Sequence, residues 1–137
     1  MSAAIKKYQN MNFQANIENI NAYKVIQALM NNALDKIAKA VFFINTKKIA
    51  EKGLNISLAI TTIDALQASL DMDKGGEMAA NLAGLYEYML EKLLVANLNN
   101  DVTLLDEVGR LLSTIKSGWD GVEAEALKII NEDKTQG

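Results

Sequence analysis

Apolar residues recur along most of this chain at intervals of three and four, the spacing that lays side chains along one face of an α-helix. Four such runs can be traced. The first is Tyr23, Ile26, Met30, Ala33, Ile37, Ala40 and Ile44, widened by Val25, Leu29, Leu34 and Val41. The second is Ile49, Gly53, Ile56, Ile60, Ile63, Gln67 and Leu70. The third is Met78, Leu82, Leu85, Met89, Leu93 and Ala96, and the fourth is Val102, Leu105, Val108, Leu112, Ile115, Trp119 and Val122. Strict alternation over several strands is absent. The breaks between runs are short and polar: Asn45-Thr46, Asp71 to Gly76, and Asn97 to Asp101, where Asn100 or Asp101 is placed to cap the following helix. Connections this short make successive helices antiparallel neighbours, and the near-heptad spacing suits shallow crossing angles. The pattern predicts an all-α fold, an antiparallel up-down-up-down four-helix bundle over residues 20–121.

The two ends differ. Residues 1–19 carry Tyr8, Met11, Phe13 and Ile17 among Asn and Gln, a mixture too polar for a fifth full helix and too aromatic for an indifferent tail. This segment is expected to pack on or near the bundle. Residues 122–137 read as a C-terminal extension. Ser117 to Gly121 should loosen the fourth helix, Val122 to Ile130 can add a few turns, and 131–137 are expected to be disordered.

Composition narrows the chemistry. At 137 residues the chain makes one domain with a sizeable core. It has no proline, which permits long unbroken helices. It has no cysteine and no histidine, so disulfides, thiolate sites, Ser-His-Asp and Cys-His nucleophiles, HExxH and Glu-x-x-His metal sites are all excluded. The expectation is a non-enzyme without cofactor or metal. A formal charge of -3 gives no reason to expect nucleic acid as a partner. Runs such as Ala40 to Ile44 are far short of the ~20 residues of a membrane span, so no membrane insertion is expected. No secretory leader is evident in MSAAIKKYQN, which points to the cytoplasm.

Several local features invite a sharper reading. Lys74-Gly75-Gly76 before a helix has donors for an anion, but the spacing and preceding strand of a phosphate loop are missing, and Glu77 puts a carboxylate in the way. A tight interhelix corner is the better reading. Asp71, Asp73 and Glu77 do not follow the order of a calcium loop. Tyr86 and Tyr88 point about 200° apart on a helix, so at least one lies outside the core. Exposed aromatic and methionine surface suits a helix-in-groove partner. Gly109 sits inside the fourth helix at a cost of roughly 1 kcal/mol, and Trp119 reads as an anchor of the bundle end.

The segment Leu70 to Asp101, LDMDKGGEMAANLAGLYEYMLEKLLVANLNND, resembles the flagellar secretion chaperones of the FliS type. In that family a KGGE corner leads into a helix with N-L-x-x-L-Y-[DE]-[YF]-M, and A-N-x-x-N-D opens the last helix. The matching positions here are Lys74, Gly75, Gly76, Glu77, Asn81, Leu82, Leu85, Tyr86, Glu87, Tyr88, Met89, Ala96, Asn97, Asn100 and Asp101. LDEVGRLLSTIKSGWD continues the likeness, which covers roughly Tyr8 to Asp120. Ala22-Tyr23 stands where the family usually has Ser-Pro, and Leu29-Met30-Asn31-Asn32 replaces Leu-Tyr/Phe-Asp-Gly.

The resemblance implies a cytoplasmic chaperone that binds the disordered C-terminal segment of flagellin, prevents premature polymerisation and presents it to the flagellar export gate. Tyr86, Tyr88, Leu90, Leu94, Leu104 and Leu111 are the groove candidates, since a single core stripe does not account for them. Tyr8, Met11 and Phe13 are the expected displaceable cover. The alternative is a structural bundle whose outer apolar strips form a homodimer interface.

Overall fold

A computed structural model describes the backbone of residues 2–121, 125 and 128–130, and the side chains of 20–121, 125 and 128–130. Four helices are defined among the described residues: α1 (Ser2–Asn45), α2 (Ile49–Ala68), α3 (Gly76–Asn99) and α4 (Val102–Gly121). Contacts join α1 to α2, α2 to α3, α3 to α4 and α4 back to α1. That closed ring is the predicted all-α bundle.

The backbone of residues 2–19 forms no separate element; it continues α1. Neither proline nor glycine lies between Ser2 and Asn45, so nothing in the sequence stops the helix. The core begins at Ala22, leaving an extension of about 30 Å before it. The side chains of Tyr8, Met11 and Phe13, and all of Val122 and 131–137, lie outside the described residues.

Core and stripe agree best in α1 and α4. Tyr23, Ile26, Met30, Ala33, Ile37 and Ala40 are buried, as are Leu105, Val108, Leu112 and Trp119. A fully buried leucine of this kind contributes on the order of 2–3 kcal/mol. In α2 the buried face is rotated from the expected one. It runs Lys52, Asn55, Ile56, Ala59, Ile63 and Leu66, while Ile49 is exposed and Ile60 and Gln67 sit at the edge. In α3, Ala79 and Tyr86 join Met89, Leu93 and Ala96 in the core, and Met78 is exposed.

Each turn has its own chemistry. After α1 the Lys48 N–H donates to Phe43 O (2.8 Å) and the Lys47 N–H to Ile44 O (3.1 Å), the paired bonds of a Schellman motif. Its left-handed position is Lys47, at φ 61°. Between α3 and α4, Asn100 takes the left-handed conformation and ends α3. Asp101 then caps α4, its Oδ1 accepting the Leu104 N–H at 3.1 Å.

The α2–α3 corner is built on Asp71, which is fully buried. Its Oδ1 accepts the N–H groups of Asp73 and Lys74, both at 3.0 Å, and its carbonyl accepts the Gly75 N–H at 2.8 Å. The two glycines serve different ends. Gly76 lies at φ +55° with open space around it, so backbone conformation selects it. Gly75 has ordinary angles, but a Cβ there would lie 2.5 Å from Ala79 Cβ and 2.7 Å from Asp71 O.

Candidate functional site: the outer seams of the bundle

The ring leaves four seams between neighbouring helices, and the candidate residues divide among them. Along the α2–α3 seam, Gln67 Nε2 donates to Ala83 O (3.2 Å) and Glu87 Oε2 (3.3 Å). At its other end the Lys52 ammonium donates to the carbonyl and the side-chain oxygen of Asn97, both at 2.9 Å. The cation thus satisfies the last turn of α3, where carbonyls lack helical partners. Lys52 was not foreseen as a seam residue, although it stands four positions before Ile56 and continues the buried face.

Along the α3–α4 seam, the Tyr88 hydroxyl donates to the Glu107 carboxylate, and Lys92 Nζ stands 5.3 Å from the Tyr88 ring centroid. The hydrogen bond to Glu107, then burial and the negative charge of Glu107, push the Tyr88 pKa up.

The α1–α4 seam opens into a cavity of about 490 Å³ lined by Leu34, Ile37, Val41, Leu105 and Gly109, with Asp106 and Arg110 also lining it. Nothing in the apolar pattern had singled this cavity out. Gly109 is part of its wall, and a Cβ there would make an ordinary 3.7 Å contact with Ile37 Cγ2. The base of this seam is locked by Tyr23 and Trp119. Their rings stack at 5.4 Å, the Tyr23 hydroxyl donates to Trp119 O at 2.5 Å, and Trp119 Nε1 donates to Tyr23 O at 3.4 Å. Gln27 reinforces it with a 2.8 Å bond to Asp120, whose carboxyl pKa is lowered chiefly by the bond from Lys116. On the α1–α2 seam the Thr62 hydroxyl donates to Asn32 Oδ1 at 3.1 Å, while Asn31 is exposed.

Tyr86 is a correction to the groove candidates. It is 2% exposed and lies in the core, because its position on α3 falls on the same face as Met89 and Leu93. Burial pushes its phenol pKa up to about 12. The tyrosine pair therefore splits, Tyr86 inward and Tyr88 outward. Leu90, Leu104 and Leu111 are half-buried against the core, and Leu94 is 61% exposed. Two further exposed leucines were missed: Leu98, at 83%, and Leu54, at 60%. Both follow a residue of one contact, since a Cβ on Gly53 would sit 3.9 Å from Asn97 Oδ1. Leu54 and Leu98 therefore stand at the same height on adjacent helices, with Leu94 and Val95 one turn away and Leu58 one turn along α2.

The motif positions are mostly architectural. Gly75 and Gly76 shape the corner, Asn97 receives Lys52, Asp101 caps α4, and Leu82 and Leu85 pack against the core. Lys74, Glu77 and Asn81 are exposed. Among the described residues no group of carboxylates could hold a metal ion, and no helix is long and apolar enough to cross a membrane.

The geometry is that of a helical bundle with exposed leucines at one end of α2 and α3. The chain belongs to the FliS family, described as "Flagellar protein FliS", which it matches over residues 4–126. It is 44% identical over 119 residues to the flagellar secretion chaperone FliSB of Pseudomonas aeruginosa, covering 87% of this chain and 94% of that protein. It is 36% identical over 126 residues to the flagellar secretion chaperone FliS of Salmonella typhimurium, with 91% and 93% covered. The FliS of Escherichia coli is 31% identical over 113 residues, with 82% and 83% covered. The family is one of chaperones, not of enzymes.

Proposed function

We propose that this protein is a cytosolic flagellar export chaperone that binds the disordered C-terminal segment of flagellin, keeps it from polymerising early and delivers it to the export gate. The observation that carries the reading, beside family membership, is the clustering of exposed aliphatic side chains. Leu54, Leu58, Leu94, Val95 and Leu98 are between 40% and 83% exposed and gather at one end of α2 and α3. A contiguous apolar surface of this kind marks an interaction site on a soluble bundle. A client that orders on binding needs wide apolar contact to offset its ordering cost. Leu90 extends the same seam, while Tyr88, Leu104 and Leu111 offer a second strip towards α4.

Titration calorimetry with a flagellin C-terminal peptide tests the proposal. Binding should fall by about tenfold or more when Leu94 and Leu98 are changed to Asp, since each loses an apolar contact of roughly 1.5–3 kcal/mol. Absence of binding to the unaltered chain sinks the reading. A doubled solution mass that the same substitutions abolish would favour a homodimer interface instead. Residues 1–19 enter the proposal as a displaceable cover. Because Ser2–Asn45 is continuous, covering this chain's own seams requires the helix to turn back near residue 20. Deleting 1–19 should then strengthen peptide binding and leave the bundle folded.

A further inference from the structure

Beyond the end of α4 the chain returns to the base of the bundle. Ile129 and Ile130 are 4% and 2% exposed, although they stand among Lys128, Asn131, Glu132 and Asp133 in a charged stretch of sequence. Ile130 forms an antiparallel bridge with Leu70, and the Asp71 N–H donates to Ile129 O at 2.6 Å. Gly75 lies against the same segment: a Cβ on it would come within 3.2 Å of Ile129 Cα. Ile129 also walls a cavity of about 260 Å³ with Met78, Leu82, Ile115, Gly118 and Trp119. The KGGE corner is thus the receptor of a segment that follows α4, and that segment lies past residue 126, where the family match ends.

We propose that the Ile129–Ile130 segment is a detachable clamp that closes the base of the bundle, pinning the α2–α3 corner and covering the apolar floor made by Leu70, Leu82, Ile115 and Trp119. Two features make the clamp separable from the bundle. First, the base already has a lock of its own, the reciprocal Tyr23–Trp119 hydrogen bonds and ring stack joining α1 to α4. Second, the four helices close their ring of contacts without the segment. Among the described residues the clamp is attached through the Asp71–Ile129 backbone hydrogen bond, the Leu70–Ile130 bridge and two buried aliphatic side chains. A short segment docked outside a closed ring of helices opens sub-globally, below the free energy of full unfolding. Opening turns the base, at the opposite end from Leu54 and Leu98, from a closed surface into an apolar one.

Native-state hydrogen exchange on the full chain tests this. The Asp71 amide should exchange about tenfold or more faster than the core amides of Met89 and Leu105, by an opening insensitive to low denaturant. In the double variant Ile129→Asp, Ile130→Asp, Asp71 exchange should accelerate by a further factor of roughly ten. Acrylamide should quench Trp119 more strongly in that variant, while helical circular dichroism and Leu105 protection stay as they were. Three results would overturn the proposal. Asp71 could exchange with Leu105 at the global rate, making the segment part of the core. The double variant could leave Asp71 exchange and Trp119 quenching unchanged, so that no closure exists in solution. Or it could unfold the bundle, so that the clamp is not detachable.

Discussion

Burial of the Tyr86 phenol makes the stability of the bundle depend on pH in the alkaline range. In the unfolded chain that phenol ionises near 10.0; in the fold, burial moves that ionisation to about 12. Below pH 10 both states hold the proton and the full stability is present. Between the two values the unfolded chain releases its proton while the native chain retains it, so the native state binds more protons and stability falls as pH rises. Each pH unit in that window costs about 1.4 kcal/mol, giving a loss of about 2–3 kcal/mol across it. For a domain with a stability of roughly 5–15 kcal/mol that is a large share.

The perturbation is Tyr86→Phe, which keeps the ring in the core and removes the titration. Guanidinium unfolding, followed by Trp119 emission from about pH 8 to about pH 12, gives the stability of both proteins. The lysines and the remaining tyrosines are common to both and cancel in the difference. The parent should lose about 2–3 kcal/mol relative to the variant, all of it above pH 10. Parallel curves would refute the burial of Tyr86 and return it to the groove candidates. The same variant should bind a flagellin peptide as the parent does.

The turn after α1 and the wall of the α1–α4 cavity each give a stabilising substitution. Lys47 holds a left-handed conformation that disfavours a side chain, so Lys47→Gly should raise stability by about 0.5–1 kcal/mol, read as a higher urea midpoint at unchanged slope. A lower midpoint would show that the Schellman geometry is not formed. Gly109→Ala should add about 0.5–1 kcal/mol by helix propensity, because its new Cβ meets Ile37 only at an ordinary contact distance. A net loss would mean that α1 and α4 approach more closely than the 3.7 Å contact allows.

How legible each helix was depends on how unevenly its apolar residues are distributed. In α4, Asp106, Arg110, Ser113 and Thr114 occupy the outer face, so the phase of Leu105, Val108, Leu112 and Trp119 could be read directly. In α2 aliphatic residues surround the helix, and hydrophobicity alone fixes no phase. Ile56 and Ile63 belong to both the expected and the observed face, but Ala59 and Lys52 carry no strong signal. The phase there follows from packing against two neighbours. Alanine hid the buried face again at Ala79, where the larger Met78 drew the pattern one residue aside. The candidate surface was harder to read for a related reason. Leu94 and Leu98 differ from Leu93 only by rotation about the helix, and their clustering with Leu54 depends on the α2–α3 register. Ile129-Ile130 falls in the stretch expected only to add a few turns, and its destination depends on a tertiary contact with Asp71 and Gly75.

The motif that identifies the family and the surface proposed for its client are therefore carried by different residues. Gly75, Gly76 and Asp101 fix close approach, backbone angle and helix capping; each acts on whether the bundle forms. Leu54, Leu94 and Leu98 contribute little to the core, since more than half of each is already in water. A change at the corner should consequently reduce client binding only in proportion to the folded fraction, and binding should recover under stabilising conditions. A change at the exposed leucines should weaken binding at full stability and respond to no stabilising solute. This difference follows from where burial is spent: inside the ring it makes the fold, and at the end of α2 and α3 it is left for a partner to complete.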